Sequence, residues 1–150
     1  MSAAKPAAAR RTPNAVSSST WRTTLAAITS GWGPTAGRVL LGLVLAWFGY
    51  HELVQPALWT GYVPGGGSGS TAAVLLVLAH GWLLLVLAVA LVAGICVRVA
   101  AGIAALLLAQ IVIWLTVTAG LSDLTLRDVG VLGLALCLAG ATQQRFVLAS

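Results

Sequence analysis

The stretch TAAVLLVLAHGWLLLVLAVALVAGICV, from Thr71 to Val97, decides the fold of this chain. It holds 27 residues without a formal charge, among them eight leucines and six valines. A helix needs about 20 mostly apolar residues to cross roughly 30 Å of hydrocarbon. Each large aliphatic residue near the bilayer centre favours insertion by about 0.3–0.6 kcal/mol, so the single His80 does not prevent it. This stretch is therefore predicted to be a transmembrane helix.

Three further apolar stretches are predicted to cross the membrane. Directly after Arg98, the run Val99–Leu121 adds 23 uncharged residues. A first helix is expected at about 36–58, and a shorter fourth helix, rich in Leu, Val and Gly, at about 125–142. Helices of this kind pack around a shared core. The sequence therefore predicts an all-α, integral membrane four-helix bundle over residues 34–150.

The overall composition agrees with a membrane location. Apolar residues make up 59% of the chain and charged residues 7%, whereas about 25% of the residues in typical soluble domains are charged. The net charge is +5, but five of the eight basic residues fall within the first 38 positions. These features exclude a soluble enzyme, a disordered protein and a nucleic-acid-binding domain, which needs basic residues clustered on a folded surface.

The basic residues also predict the orientation. Residues 1–33 are rich in Ala, Ser, Thr and Arg and are expected to form a mobile basic tail. With this tail inside, the inner segments hold seven basic residues and the outer loops hold only Arg127, which satisfies the positive-inside rule. We therefore expect an integral protein of the bacterial plasma membrane with both termini cytoplasmic. A mitochondrial transit peptide is an alternative interpretation of the tail.

Few polar groups lie at membrane depth, where each needs a partner or a polar cavity. Most of them fall in the outer half of the predicted helices, and we expect one polar site there, between the helices. Its candidate residues are His51, Glu52, His80, Gln110, Arg127 and Asp128. Neither catalytic residues nor a metal site is predicted, because two histidines without a spaced third ligand are weak evidence for a metal.

The depths of these residues predict two contacts. A cation at a helix N-terminus opposes the helix macrodipole, so Arg127 is expected to form an ion pair with Glu52. We expect His80 to hydrogen-bond to a neighbouring helix, with Gln110 at a similar depth as the partner. A role as proton carrier or ligand is the alternative for His80.

Other residues are predicted to have structural roles. The spacing of Thr125-Leu-Arg-Asp128 is that of a capping box with Thr125 at the N-cap, which offers a structural role for the acid. Trp59 and Tyr62, in the loop before the second helix, are expected at the membrane interface. Small residues that recur every four positions let helices approach closely; they are Gly133, Cys137 and Ala141, with Gly42 and Ala46 in the first helix.

Four short motifs resemble the DoxX family of small four-helix membrane proteins. They are Arg38-Val-Leu-Leu-Gly42 with Trp47-Phe-Gly49 and Glu52-Leu-Val-Gln-Pro56, then Trp59-Thr-Gly-Tyr-Val-Pro64, Leu91 to Ala101, and Leu126-Arg-Asp-Val-Gly-Val-Leu-Gly133. The resemblance spans about residues 38–142, with the motifs in the order found in the family.

The resemblance implies an association with membrane redox systems. Members of the family resemble small subunits of quinol oxidase or thiosulfate–quinone oxidoreductase complexes, or partners in oxidative-stress assemblies. We therefore expect a non-catalytic accessory subunit that packs against a larger membrane redox complex or a second copy of itself. The alternative is a protein that binds a quinone or another small molecule directly, through the outer polar site. A transporter is a third interpretation.

Overall fold

The computed structural model describes residues 15–64, 69–141 and 147, with side chains described from Trp32 onward. This part of the chain is helical and contains no strand, so the predicted all-α class is confirmed. Its elements are α1 (Ala15–Val54), the short α2 (Pro56–Trp59), a 3-10 turn at Thr60–Tyr62, α3 (Thr71–Ala93), α4 (Val97–Ala119) and α5 (Asp123–Gly140).

Three helices are long and apolar enough to cross a membrane. They are the Trp32–Val54 part of α1 and the whole of α3 and α4, each 23 residues long. At about 1.5 Å per residue each spans about 34 Å, close to the hydrocarbon thickness. The prediction of transmembrane helices is supported to this extent. Helix α5 has 18 residues and carries charges in its first two turns, and its membrane crossing stays a prediction.

The first helix is much longer than predicted. It begins at Ala15 and has 40 residues, so the expected start of the helix at residue 36 is wrong. Its apolar part of membrane-spanning length begins at Trp32, close to the predicted start of the transmembrane domain at residue 34. Residues 15–30 contain neither glycine nor proline, the residues that most strongly disfavour a helix. A helix of this length reaches about 60 Å, so it extends beyond the hydrocarbon layer. The basic residues of the tail before Ala15 lie outside the described residues.

Local chemistry explains where the helices α1 and α3 end. Helix α1 stops at Val54, four residues before the expected end, because Pro56 disfavours the helical conformation of the residue before it. Helix α3 ends at Ala93 rather than at 97. There Gly94 adopts the left-handed conformation (φ 78°) and its N–H donates to the carbonyls of Ala90 and Leu91, as is typical of a glycine that ends a helix.

The start of α5 also differs from the prediction. Its N-cap is Ser122, whose hydroxyl accepts a hydrogen bond from the backbone N–H of Thr125. The interpretation of Thr125 as the N-cap is therefore wrong. Thr125 is fully buried, and its hydroxyl donates to the carbonyl of Gly120, which ties the start of α5 to the end of α4.

The four long helices form two tightly packed pairs. Helix α1 packs along α3, and α4 packs along α5, whereas α3 with α4 and α1 with α5 make fewer contacts. The hydrophobic core includes Leu41, Leu45, Leu84, Leu87, Ala88, Leu91, Val97, Ala100, Ala101, Ala104, Ala105, Leu108, Ala135 and Leu138. Many of these residues lie near the turn between α3 and α4. We call this end of the molecule the Arg98 end, and the opposite end, where α1 stops and α5 begins, the Glu52 end.

Glycines set the close approach of α1 and α3. A Cβ atom on Gly49 would lie 2.8 Å from the carbonyl oxygen of Gly81, and one on Gly42 would lie 3.1 Å from the carbonyl oxygen of Ala88. Real Cβ atoms essentially never come as close to another atom as the first distance. Because position 42 faces 88 and position 49 faces 81, the two helices run antiparallel. The predicted small-residue contact of Gly42 is thus with α3.

We expect the substitution Gly49→Ala to destabilise the protein by about 1–3 kcal/mol, because the added methyl group forces two backbones apart. The control is Gly133→Ala on α5, where an added Cβ has nothing within 4 Å. It should leave the stability unchanged or raise it by up to about 1 kcal/mol, through helix propensity. Unfolding titrations in mixed micelles measure both variants, and equal effects would contradict the close approach.

Candidate functional site

A cavity of about 770 Å³ lies between the helices at the Glu52 end. Its wall is mainly apolar and comes from all four long helices, while α2 and the turn after it contribute Trp59 and Tyr62. All six residues predicted for the polar site line this cavity: His51, Glu52, His80, Gln110, Arg127 and Asp128. A cavity of this size and lining is typical of small-molecule sites.

Glu52 and His80 form a hydrogen-bonded pair across α1 and α3. The distance from His80 Nδ1 to Glu52 Oε2 is 2.7 Å. Glu52 is buried, with 6% of its surface exposed, and its Cβ lies close to Gly81, where the two helices approach. With an ionised carboxylate the hydrogen sits on Nδ1, because the oxygen then only accepts. The Nε2 atom of His80 has no partner among the described residues.

Arg127 and Asp128 form the second charged pair. The Arg127 Nη2 atom donates to Asp128 Oδ1 at 3.0 Å, and Nε donates to the same oxygen at 3.1 Å. The guanidinium carbon lies 5.0 Å from the centroid of the Phe48 ring on α1, a favourable position for a cation. The Asp128 side chain is 10% exposed and that of Arg127 is 50% exposed. The pair therefore connects α5 to α1 and compensates the buried acid.

Two predicted contacts are wrong. Glu52 pairs with His80 and Arg127 pairs with Asp128, so the expected Glu52–Arg127 ion pair is replaced by these two. His80 does hydrogen-bond to a neighbouring helix, as predicted, but the partner is Glu52 and not Gln110. Positions along the helix axes give depth only, whereas the rotation of each helix decides which neighbour a side chain meets. Gln110 lines the cavity as an exposed residue of α4.

His51 lies at the edge of the site. Its Nδ1 atom is 2.9 Å from the backbone carbonyl oxygen of Trp47, one helical turn earlier, and the two rings lie 4.3 Å apart. The ring is half-buried. These local contacts separate His51 from the two charged pairs.

An aromatic wall, made of Phe48, Trp59 and Tyr62, was not predicted as part of the site. The rings of Phe48 and Trp59 meet edge to face at 5.9 Å, and those of Trp59 and Tyr62 lie 5.9 Å apart. The signal in the sequence is the spacing of Phe48, which stands four residues before Glu52 and so on the same helix face. The expected position of Trp59 and Tyr62 at the membrane interface stays a prediction.

The segment that carries Trp59 and Tyr62 is held by Thr60. This residue is 2% exposed. Its hydroxyl donates to the carbonyl of Ala57 at 2.9 Å and accepts from the backbone N–H of Gly69 at 3.1 Å. These bonds close the segment between α1 and α3 and fix the position of Trp59 beside the cavity.

Comparisons with known proteins add no assignment. No family of known proteins matches the sequence, and neither a curated protein nor a solved structure is significantly similar to it. The resemblance to the DoxX family therefore stays a prediction, and the functional interpretation depends on the geometry of the cavity.

We expect the substitution His80→Leu to destabilise the protein by about 1–3 kcal/mol, because it leaves the buried Glu52 carboxylate without its hydrogen-bond partner. The matched control is His51→Leu, which removes a half-buried ring with local contacts and should change the stability by less than about 0.5 kcal/mol. Unfolding in mixed micelles measures both. A loss as large for His51→Leu as for His80→Leu would contradict the structural role of the pair.

Proposed function

We propose that this chain is a membrane protein that binds a small amphipathic molecule in the cavity at the Glu52 end. The single observation that carries this proposal is the pair of the buried Glu52 and the half-buried His80 on the wall of an otherwise mainly apolar cavity of about 770 Å³. Small-molecule sites commonly combine an apolar wall with a few polar groups that orient the ligand. Quinones, which the family resemblance implies, have this amphipathic character.

The free energy that is needed to place ionisable side chains at this site supports a functional role. Ionisable side chains within membrane segments are rare, because each is expensive to place in an apolar environment. A core that served packing alone would be filled, as it mainly is at the Arg98 end, where the buried residues are Leu, Ala and Val apart from Arg38. At the Glu52 end two acids are buried beside a cavity instead.

We further propose four membrane crossings in the bacterial plasma membrane, with both termini cytoplasmic. In this arrangement α5 is the fourth crossing. Its Arg127–Asp128 pair lies at the Glu52 end, which faces outward. Arg98 donates from Nε to the carbonyl of Ala139 at 3.5 Å, so its charge lies at the opposite, cytoplasmic end. The positive-inside rule supports this orientation.

Filling the cavity should weaken binding strongly. Leu107 lines the cavity, whereas its neighbour Leu106 is 74% exposed. We expect Leu107→Trp to weaken the binding of at least one of three probes about tenfold or more, and Leu106→Trp to leave it unchanged. The probes are a neutral decyl-benzoquinone, the cation tetraphenylphosphonium and the anion tetraphenylborate. Equilibrium dialysis against protein-containing nanodiscs measures the affinities, with protein-free nanodiscs correcting for partition into lipid.

The proposal fails if the wild-type protein binds none of the three probes beyond lipid partition. It also fails if Leu107→Trp and Leu106→Trp behave alike, because binding would then not take place in the cavity.

A second candidate function is that of a non-catalytic accessory subunit of a membrane redox complex. The observation that favours it is a face of small residues on α5. A Cβ atom at Gly130, Gly133 or Gly140 would have nothing within 4 Å, and Cys137 is exposed. These positions share one helix face, and small residues of this kind are typical of close contacts between membrane helices. The predicted small-residue contact of Gly133 and Cys137 is thus not made with any of the described residues.

If α5 contacts a partner helix, the substitution Gly133→Ile should release a co-purifying membrane protein by blocking close approach. The control is Gly102→Ile on α4, another glycine with nothing within 4 Å of an added Cβ. Co-purification in mild detergent followed by mass spectrometry gives the measurement. A chain that elutes alone in the wild type, or a partner retained by Gly133→Ile, would contradict this second function.

A further inference from the structure

The charges around the cavity do not balance. Glu52 and Asp128 contribute two negative charges, and Arg127 contributes one positive charge. With a neutral His80 the four groups therefore sum to −1, and with one additional proton on the Glu52–His80 pair they sum to zero. An uncompensated charge in an apolar environment is costly. The cavity therefore needs either a proton or another positive charge.

We propose, building on the small-molecule site proposed above, that the ligand is a lipophilic organic cation. This cation competes with a proton: when the Glu52–His80 pair holds the additional proton, the cation does not bind. The bound cation supplies the charge that balances Glu52, and the pair releases one proton to water when the cation binds. The same site then holds either the proton or the ligand.

The aromatic wall favours a cation over an anion of equal size. The face of an aromatic ring attracts positive charge, and Phe48, Trp59 and Tyr62 line the cavity together. Arg127 lies over the Phe48 ring at 5.0 Å, so one of these rings already holds a cation. Arg127 is itself paired with Asp128 at 3.0 Å, which leaves Glu52 as the acid that attracts a second cation.

The ligand class follows from the lining as well. A small inorganic cation prefers several oxygen ligands, whereas no group of three or more His, Cys, Asp or Glu side chains gathers as metal ligands among the residues that the structure describes. The wall is mainly apolar. An organic cation whose charge is spread beneath apolar groups fits this lining. Its apolar surface can pack against the apolar wall, and its single charge is balanced by one carboxylate, so it does not require a cluster of oxygen ligands.

The dependence on pH has one main source. The other titratable and charged groups that line the cavity with the Glu52–His80 pair are His51 on α1, Tyr62 in the 3-10 turn, and the Arg127–Asp128 pair on α5, while α4 contributes the uncharged Gln110. The second charged pair is neutral as a unit, and the exchanged proton is assigned to the Glu52–His80 pair, whose side chains share a 2.7 Å hydrogen bond. If one proton is exchanged for one cation, the affinity falls by at most tenfold for each unit by which the pH decreases.

Two probes of matched shape and opposite charge test the inference. In nanodiscs, with partition into protein-free nanodiscs subtracted, the wild-type protein should bind tetraphenylphosphonium at least about tenfold tighter than tetraphenylborate at about pH 8. The preference should shrink as the pH is lowered towards about pH 5, because the proton competes with the cation. Both measurements use the wild-type protein, so they do not depend on the folding of a variant.

The substitution Glu52→Gln should abolish the preference for the cation and its dependence on pH. The matched control is Asp123→Asn, which removes the same charge from an exposed residue at the start of α5 that does not line the cavity. This control should keep the wild-type preference. If both variants lose it, the preference reflects the surface charge of the protein and the inference is overturned.

The remaining outcomes separate the two proposals. Binding of the benzoquinone or of tetraphenylborate, but not of tetraphenylphosphonium, overturns the cation inference and leaves the small-molecule site intact, provided that Leu107→Trp abolishes that binding. Cation binding that does not change with pH overturns the exchange with a proton. If no probe binds beyond lipid partition, the small-molecule site itself fails, and the cation inference fails with it.

Discussion

The close approach of α1 and α3 is the constraint on which the rest of the structure depends. At Gly49 and Gly81 neither helix has a side chain, so the two backbones meet directly. Glu52 and His80 stand next to this crossing, one on each helix, and their 2.7 Å hydrogen bond is possible only because the helices are this close. In lipid, helices associate through close packing at such small residues, whereas in water they associate mainly through hydrophobic burial. The position of the buried acid therefore follows from two glycines.

The two ends of the molecule differ in how the space between the helices is filled. Near the turn between α3 and α4, alanines and leucines fill the space between the helices. At the opposite end a cavity lies between the helices, and Glu52–His80 and Arg127–Asp128 form two pairs along its wall. Buried ion pairs add little net stability compared with apolar packing. Their presence beside a cavity is better explained by a role in holding a ligand than by a role in holding the fold.

The apolar helices could be predicted from the sequence because insertion free energies add along a stretch such as Val99–Leu121, whatever its neighbours are. To predict the partners of Glu52 and Arg127, the rotation of each helix about its axis is needed as well. Both were placed at a similar depth, but depth does not give the rotation of a helix about its axis, and Arg127 lies over Phe48, one turn before Glu52. The start of α1 was missed because a stretch rich in Ser and Thr has only a weak preference for or against a helix. Ser122 and Thr125 are both good N-caps, so the sequence alone did not separate them.

The turn from Gly94 to Cys96 has a consequence for how the protein is made. It is three residues long, with left-handed conformations at both ends, and it divides the chain into an earlier and a later helical hairpin. The glycine crossing and the bond between Glu52 and His80 lie wholly within the earlier one. A nascent chain thus carries a complete partner for this acid before α4 has left the ribosome. If the chain inserts while it is being synthesised, Glu52 already has its hydrogen-bond partner in the first hairpin, so insertion of this hairpin does not have to wait for the second.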